Sequence, residues 1–104
     1  ELNDIFQLEE LLEGVDSVFH TAAFISYDPR FRDQLFETNI RGTANLVNAC
    51  LHSGVKRLVY VSSIAALGDA AEPGQLVDEQ ASWKTDKGHS NYAISKFMAE
   101  NEVW

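Results

Sequence analysis

Near the carboxyl end of the chain, the segment SNYAISKFMAE carries a tyrosine and a lysine four positions apart, Tyr92 and Lys96. Ser90 is a typical helix cap, and side chains four apart on a helix share one face. A free phenol has a pKa of about 10, and a nearby ammonium lowers it because the ammonium favours the phenolate. The pair could therefore exchange a proton with a substrate near neutral pH. By spacing alone, the same pair is also typical of a solvated helix surface.

Two apolar segments predict buried strands that end in residues suited to a ligand site. VKRLVYVSS is rich in β-branched and aromatic residues and ends in Ser62 and Ser63. VDSVFHTAA ends in the small residues Thr21, Ala22 and Ala23. A serine hydroxyl at a strand end could bond the same substrate oxygen as Tyr92 does. Together these residues would form a Ser-Tyr-Lys set for proton transfer at a carbonyl or an alcohol.

The remaining segments predict helices around these strands. DIFQLEELLEG has Asp4 as a cap, Gln7 in the position of a capping box, and Gly14 as a left-handed stop. A long helix is predicted from DPRFRDQLFETN as far as Gly54. Alternation of helices and strands indicates an α/β fold with a parallel sheet, in which ligands lie beyond the carboxyl ends of the strands.

The long helix carries a polar stripe, with Asn39 and Thr43 four positions apart and Gly42 beside them. Asparagine and glycine are poor choices inside a helix, so we expect something other than helix propensity to select them. The apolar residues expected to share one face of this helix are Phe36, Ile40, Val47 and Leu51. An irregular polar loop follows the second strand, from about Gly68 to His89.

The composition restricts the classes of partner and the compartment. A formal charge of -8 makes nucleic acid an unfavourable partner. The single cysteine, Cys50, excludes an internal disulfide and favours a reducing compartment, so we expect a cytoplasmic protein. The longest apolar run is too short to span a membrane. Because the chain lacks an initial methionine and ends inside a predicted helix, we expect a piece of a longer protein.

Four stretches in a fixed order resemble a known family: VDSVFHTAA, NIRGTANLVNAC, VKRLVYVSSIAALG and YAISK. The chain is similar to the extended short-chain dehydrogenases/reductases, the NAD-dependent epimerase/dehydratase group. Within that group, the residues of its motifs most resemble those of the dihydroflavonol-reductase-like members. The resemblance implies that residues 1–104 are the central, catalytic part of a doubly wound, Rossmann-type dinucleotide-binding domain. The family's Gly-rich pyrophosphate turn and its C-terminal substrate region are absent from this chain, which we therefore expect to be inactive alone.

The resemblance also implies roles for individual residues. Tyr92 would be the general acid/base, Lys96 would lower the pKa of Tyr92 and hold the nicotinamide ribose, and Ser63 would orient the substrate oxygen. Asn39 would fix the backbone behind the cofactor, and the small residues after the first strand would allow its close approach. The residues implied to contact NAD or NADP are Glu1, Leu2, Thr21, Ala22, Ala23, Asn39, Ser62, Tyr92 and Lys96.

The function implied is an NAD(P)-dependent oxidoreductase acting on a carbonyl or an alcohol. Leu67 stands where sugar-nucleotide epimerases of the family often have a tyrosine, so we expect a relatively apolar substrate. A nucleotide-sugar epimerase or dehydratase is the alternative within the family. A non-catalytic dinucleotide sensor is the alternative from another class, although it would have no need of the Ser-Tyr-Lys set. The family also implies a homodimer formed through the two long helices.

Other residues have simpler interpretations. His20 ends a strand, and a hydrogen-bonded structural histidine is the interpretation we favour over a catalytic one. His52 and His89 have no partners at metal-ligand spacing, and we predict no metal site. Cys50 lies among apolar helix positions and is predicted to be in the core. Trp83 could line a substrate pocket or anchor the polar loop, and the sequence favours neither.

Overall fold

A computed structural model describes residues 1–70 and 72–104 of the chain. Four α-helices and two β-strands form the framework, with short 3-10 and π-helical segments between them. The elements, in chain order, are α1 (Ile5–Leu12), β1 (Ser17–His20), a 3-10 helix (Pro29–Phe31), α2 (Arg32–Phe36), a π-helix (Glu37–Arg41), α3 (Gly42–His52), β2 (Arg57–Tyr60), a 3-10 helix (Ile64–Ala66) and α4 (Asn91–Val103). The α/β order predicted from the sequence is confirmed.

The two strands pair in parallel, with His20 opposite Tyr60. A further hydrogen bond, from the Val61 N–H to the His20 carbonyl at 3.0 Å, extends the pairing past the end of β2. The carboxyl ends of β1 and β2 are therefore level. As a result, the segments that follow the two strands leave the sheet side by side.

The start and the stop of α1 follow the sequence prediction. The Asp4 carboxylate accepts a hydrogen bond from the Gln7 N–H at 3.0 Å and so caps the helix. The reciprocal half of a capping box is not made, because the Asp4 N–H donates to the Glu1 carbonyl at 3.0 Å instead. Gly14 has a φ of 72°, a left-handed conformation that costs little only for glycine.

One helical run extends from Pro29 to His52, but it is not the uniform α-helix that the sequence predicts. Asp28 caps its first turn, where its carboxylate accepts from the Arg30 N–H at 2.9 Å. The middle of the run, Glu37–Arg41, is a π-helix, in which each backbone hydrogen bond spans one residue more than in an α-helix. The run ends at His52, two residues before the predicted end.

The predicted apolar face of this run is not its most buried face. Leu51 is largely exposed, and Phe36, Ile40 and Val47 are only half-buried. The reason is that the run packs against the strands and α4 through a different stripe, which includes polar groups with specific partners. The buried residues of the run are Leu35, Asn39, Gly42, Thr43, Leu46, Ala49 and Cys50.

The hydrophobic core lies between α1, α3 and one face of the sheet. Val18 of β1 and Leu58 of β2 lie opposite each other and pack on this cluster. Cys50 belongs to it, as predicted, and burial raises the pKa of its thiol. The opposite face of the sheet carries Phe19, which is 71% exposed. The buried members of the core are Leu8, Leu12, Leu46, Ala49 and Cys50.

Within the described residues, no helix has both the length and the apolar character needed to cross a membrane.

The polar loop is irregular, as predicted, and connects the 3-10 helix to α4. Ser90 caps α4 as predicted, because its hydroxyl accepts from the Ala93 N–H at 3.1 Å. The fold therefore brings α4 alongside the carboxyl end of β2, where the candidate catalytic residues lie.

Candidate active site

Lys96 lies at the centre of the candidate site and is 2% exposed. Its ammonium donates a hydrogen bond of 3.0 Å to the Val61 carbonyl, directly after β2. The same ammonium lies 4.4 Å from the centroid of the Tyr60 ring, within the range of a cation–π interaction. Burial lowers the pKa of Lys96, and the Glu100 carboxylate acts in the opposite direction. The lysine is therefore held at the strand end and not on a solvated helix surface.

Tyr92 is half-buried in the first turn of α4, on the same side as Lys96. Its ring meets the ring of Tyr27 at a centroid distance of 6.1 Å and an angle of 66°. This is an edge-to-face arrangement, which aromatic pairs prefer to direct overlap. Because Tyr27 belongs to the segment that follows β1, the candidate acid/base lies between the exits of both strands.

The two serines after β2 have different partners. Ser63 caps the short 3-10 helix that follows, where its hydroxyl oxygen accepts from the Ala65 N–H at 3.2 Å. Ser62 instead donates a 2.9 Å hydrogen bond to the Glu100 carboxylate on α4. The 3-10 helix also packs against α4. The Ser63 oxygen thus has an acceptor role already, while its hydroxyl proton remains free to rotate.

Asn39 is 2% exposed and joins the exit of β1 to α4. Its amide oxygen accepts from the Phe24 N–H at 2.7 Å, and its amide nitrogen donates to the Phe24 carbonyl at 2.9 Å. The same nitrogen donates to the Ser95 hydroxyl at 2.9 Å, and that hydroxyl donates to the Tyr92 carbonyl at 2.8 Å. Asn39 therefore fixes backbone next to the exposed residues Thr21–Ala23.

His20 is a structural histidine, as favoured from the sequence. Its ring nitrogen Nε2 lies 2.9 Å from the Thr43 hydroxyl, and both residues are buried. Burial lowers the pKa of His20, and the positive charge of Lys96 lowers it further. Next to it, burial raises the pKa of Tyr60 to about 12, with smaller contributions from Glu100 and Tyr92. Both rings are therefore neutral near neutral pH.

Trp83 anchors the polar loop to α4. Its ring is stacked between the rings of His89 and Phe97, at centroid distances of 4.0 Å and 4.3 Å. Its indole N–H donates to the Asp86 carboxylate at 2.9 Å. His89 in turn lies 3.0 Å from an oxygen of Asp69. Of the two interpretations left open by the sequence, these contacts favour the anchor.

Gly68 marks the place where the loop folds back on its own start. A Cβ atom at this position would lie 2.5 Å from the Ala81 carbonyl oxygen and 2.4 Å from the Ser82 carbonyl carbon. Both neighbours are backbone atoms, which cannot turn aside as a side chain can. Glycine is therefore required for the close approach of the two loop segments.

Leu2 lies at the amino-terminal end of α3, and Glu1 precedes it beside the start of α1. The Leu2 side chain packs on Gly42, where a Cβ atom would come within 3.0 Å of it, and the Leu2 carbonyl accepts from the Asn45 amide at 3.2 Å. Glu1 is exposed. Neither residue has a described contact with Tyr92, Lys96 or the two serines, so their predicted contact with a cofactor stays a prediction.

Four residues of the site were not identified from the sequence: Tyr27, Tyr60, Ser95 and Glu100. Two of them could have been found by helix geometry. Glu100 follows Lys96 by four positions, and Ser95 lies inside the YAISK segment itself. Tyr27 and Tyr60 carry no such signal, because their contacts with α4 arise only when the strands and the helix pack together.

Three features define the class of protein: the parallel sheet, the helical run Pro29–His52 that connects its two strands (the crossover), and the helix α4 that carries Tyr92 and Lys96. Comparison with known proteins confirms this class. The model of the 3-beta hydroxysteroid dehydrogenase/isomerase family matches residues 1–104. The chain belongs to this family. The resemblance to extended short-chain dehydrogenases/reductases and the Rossmann-type fold are both confirmed.

The chain is also similar to individual members. It is 36% identical over 109 residues to cinnamoyl-CoA reductase 1 of Petunia hybrida, which covers 100% of this chain and 32% of the relative. A short-chain dehydrogenase/reductase superfamily protein of Agrobacterium tumefaciens, solved with bound NAD, superimposes with a TM-score of 0.82 at 33% identity, over 99% of this chain and 30% of that one. The chain thus spans about a third of the length of these relatives.

A nucleotide-sugar enzyme shares the same fold. UDP-glucose-4-epimerase of Stenotrophomonas maltophila, solved with bound NAD and formylated UDP-arabinopyranose, superimposes with a TM-score of 0.80 at 28% identity. The match covers 97% of this chain and 30% of the epimerase. A reductase and an epimerase are therefore both among the proteins to which this chain is similar.

Proposed function

We propose that the full-length protein is an NAD(P)-dependent oxidoreductase that acts on a carbonyl or an alcohol through Ser63, Tyr92 and Lys96. The observation that carries this proposal is the position of the Lys96 ammonium, 3.0 Å from the Val61 carbonyl and on the same helix face as Tyr92. A buried lysine is unusual in proteins unless it is paired or functional. Here its hydrogen-bond acceptor, Val61, directly precedes the serine pair.

The residues at the carboxyl edge of the sheet fit a dinucleotide. Thr21, Ala22 and Ala23 are small and exposed, so a flat ligand could approach the backbone there. Asn39 holds the following residue, Phe24, by two hydrogen bonds to its backbone and so gives this edge a fixed shape. An ammonium has three N–H donors, and the bond from Lys96 to Val61 uses one of them. We assign the others to ribose hydroxyl groups.

When bound, the nicotinamide supplies hydride transfer to or from the substrate carbon. Tyr92 exchanges a proton with the substrate oxygen, and the Lys96 charge favours the anionic form of a neighbouring phenol. The Ser63 hydroxyl donates a hydrogen bond to the same oxygen and so orients it. Glu1, Leu2 and Ser62 are the further cofactor contacts that we propose from the family resemblance.

The substrate we propose is relatively apolar. Leu67, which is half-buried after the serine pair, adds an apolar wall to this part of the site. The family match to hydroxysteroid dehydrogenases and the similarity to a cinnamoyl-CoA reductase also support an apolar substrate. The similarity to UDP-glucose-4-epimerase supports a nucleotide-sugar epimerase or dehydratase as the second candidate. No comparison supports the non-catalytic dinucleotide sensor.

We also propose a cytoplasmic homodimer formed through the long helices. α3 and α4 pack against each other, and Leu51 and Met98 on these helices are exposed. Sedimentation of the full-length protein tests this part of the proposal. A monomer at micromolar concentration would contradict it.

A substrate panel tests the function. The full-length protein should oxidise NADH or NADPH with cinnamoyl-CoA or an aromatic ketone, or reduce NAD with a 3-beta hydroxysteroid. Conversion of UDP-glucose with no turnover of the apolar set would establish the second candidate instead. Tight dinucleotide binding with no turnover of either set would favour a sensor.

A further inference from the structure

Glu100 connects α4 to the end of β2 through a side chain rather than through apolar packing. It lies on α4 one turn after Lys96, and its carboxylate accepts a 2.9 Å hydrogen bond from the Ser62 hydroxyl. Glutamates at this spacing from a lysine are usually solvated partners on a helix surface. Glu100 is instead half-buried, and one of its oxygens is used by the strand end.

Three consecutive residues after and within β2 meet the two charged side chains of α4. The Tyr60 ring lies under the Lys96 ammonium, and the Val61 carbonyl accepts from it. Ser62, the next residue, donates to Glu100. The lysine and the glutamate therefore bind the same short piece of chain, one turn of α4 apart.

The charge of Lys96 depends on this arrangement. Burial is the largest influence on its pKa and lowers it, and the Glu100 carboxylate raises it. The other titratable groups that face Lys96 are His20 on β1, Tyr60 on β2 and Tyr92 on α4. His20 and Tyr60 are neutral near neutral pH, whereas Glu100 contributes a carboxylate. Among the described residues, Glu100 is thus the anionic group that raises the pKa of Lys96, beside the neutral Val61 carbonyl and Tyr60 ring that contact its ammonium.

We propose that Glu100 is a positioning residue for Lys96, which, tethered by Ser62, keeps the lysine ammonium charged and seated at the end of β2. The inference rests on the proposed function, in which Lys96 must be charged to bind the ribose and to act on Tyr92. It extends that function by assigning a role to a residue outside the Ser-Tyr-Lys set.

The test uses Glu100→Gln in the full-length protein, with Glu102→Gln as the matched control. Glutamine keeps an oxygen that can accept from Ser62 but loses the charge, and Glu102 is an exposed residue of the same helix. The titration of the Lys96 ammonium is followed by NMR of isotope-labelled lysine side chains, and its signal is assigned by its loss in Lys96→Arg. The pH profile of kcat/KM is measured on the same variants.

We expect the Lys96 midpoint to fall by about one pH unit in Glu100→Gln, because the carboxylate that favours the charged form is gone. The basic limb of the kcat/KM profile should move down with it, so that activity on that limb is about tenfold lower. Glu102→Gln should leave both unchanged. Ser62→Ala, which frees the carboxylate but keeps its charge, should lower the midpoint by a smaller amount.

An unchanged Lys96 midpoint in Glu100→Gln would overturn the proposal. An unchanged midpoint in Ser62→Ala would show that the tether has no part in it. The NMR titration needs no substrate and no turnover, so it decides this inference even if no member of the substrate panel reacts. Failure of the panel alone would count against the proposed function and not against the role of Glu100.

Discussion

Asn39 and Ser95 stand 56 positions apart in the chain and are joined by a 2.9 Å hydrogen bond, from the asparagine amide to the serine hydroxyl. Through this bond the π-helical turn of the crossover meets the helix that carries Tyr92 and Lys96. Because the Asn39 amide also bonds both backbone groups of Phe24, the exit of β1 is fixed to the same helix. The buried Asn39 side chain thus sets the position of the segment Thr21–Ala23, where we propose that the cofactor binds, relative to Tyr92, the candidate acid/base.

Replacing Asn39 with alanine should destabilise the protein strongly. The change leaves the half-buried Phe24 N–H without its acceptor and the buried Ser95 hydroxyl without one of its two partners. A polar group left unpaired away from water costs about 1–3 kcal/mol, so the two losses together should lower the free energy of unfolding by about 2–6 kcal/mol. Urea denaturation of the full-length protein measures this. Asn48→Ala on the exposed side of α3 should change it by less than about 0.5 kcal/mol, and an equal effect of both variants would contradict the prediction.

Tyr92→Phe should remove proton transfer while leaving the packing of the ring against Tyr27 intact. Turnover should fall by about two to four orders of magnitude, the usual contribution of a positioned acid or base. The affinity for the dinucleotide, measured by fluorescence titration, should barely change. Tyr27→Phe is the matched control and should keep near-normal turnover. If Tyr92→Phe did the same, the catalytic assignment would be wrong.

His20 should make the stability depend on pH below its unfolded-state pKa of 6.5. Its folded-state pKa is lowered, so above pH 6.5 the residue is neutral in both states and its full contribution is present. As the pH falls from 6.5 towards the folded-state pKa, only the unfolded state takes up the proton. Stability should then fall by at most about 1.4 kcal/mol per pH unit from this group.

The variant His20→Gln isolates that contribution. Glutamine keeps a side-chain group that can bond the Thr43 hydroxyl but does not titrate. The free energy of unfolding of both proteins is measured by urea denaturation between about pH 7 and pH 5. The difference between wild type and variant should shrink as the pH falls, because only the wild type loses stability through this residue. Parallel curves would show that His20 is not the group responsible.

Trp83→Ala should release the polar loop from α4. Stacked aromatic pairs contribute about 0.5–1.5 kcal/mol each beyond their buried area, so loss of both stacking partners should raise the opening of the loop about tenfold. Limited trypsin digestion at Lys84 and Lys87, both exposed, reports this opening. Trp104→Ala removes an exposed tryptophan and should leave the cleavage rate at those lysines unchanged. Equal rates in the two variants would argue against the anchor.

Much of the framework can be predicted from the sequence, because helix caps, glycine stops and helix spacing depend only on residues close together in the chain. Asp4 and Ser90 cap the helices that the sequence predicts for them, and Gly14 takes the predicted left-handed conformation after α1. The four-residue spacing of Tyr92 and Lys96 places both on one face of α4. These features depend only on neighbouring residues, and the structure confirms them.

The buried face of the crossover run could not be read in the same way. Its apolar pattern points to Leu51, which is exposed, while Asn39 and Thr43 are buried. These polar residues are buried because Phe24 and His20 supply their hydrogen-bond partners from another element. The π-helical turn likewise has no local signal that we recognise. Periodicity counts apolar side chains and so misses a face selected by polar partners.

The surroundings of Lys96 were also beyond sequence reasoning, for a related reason. Its hydrogen-bond acceptor is the Val61 carbonyl, a backbone group that every residue possesses. Its aromatic neighbour, Tyr60, looks like any strand aromatic. Only when α4 packs beside the end of β2 do these two groups come together around the Lys96 ammonium.

The parallel pairing of β1 with β2 has a consequence for how the chain folds. The two strands are separated by the whole run from Pro29 to His52, so their hydrogen bonds cannot form until that crossover has brought distant parts of the chain together. Non-local contacts of this kind close late and slowly compared with helices. We therefore expect the crossover to form before the sheet does, and weakening it should slow refolding more than it speeds unfolding.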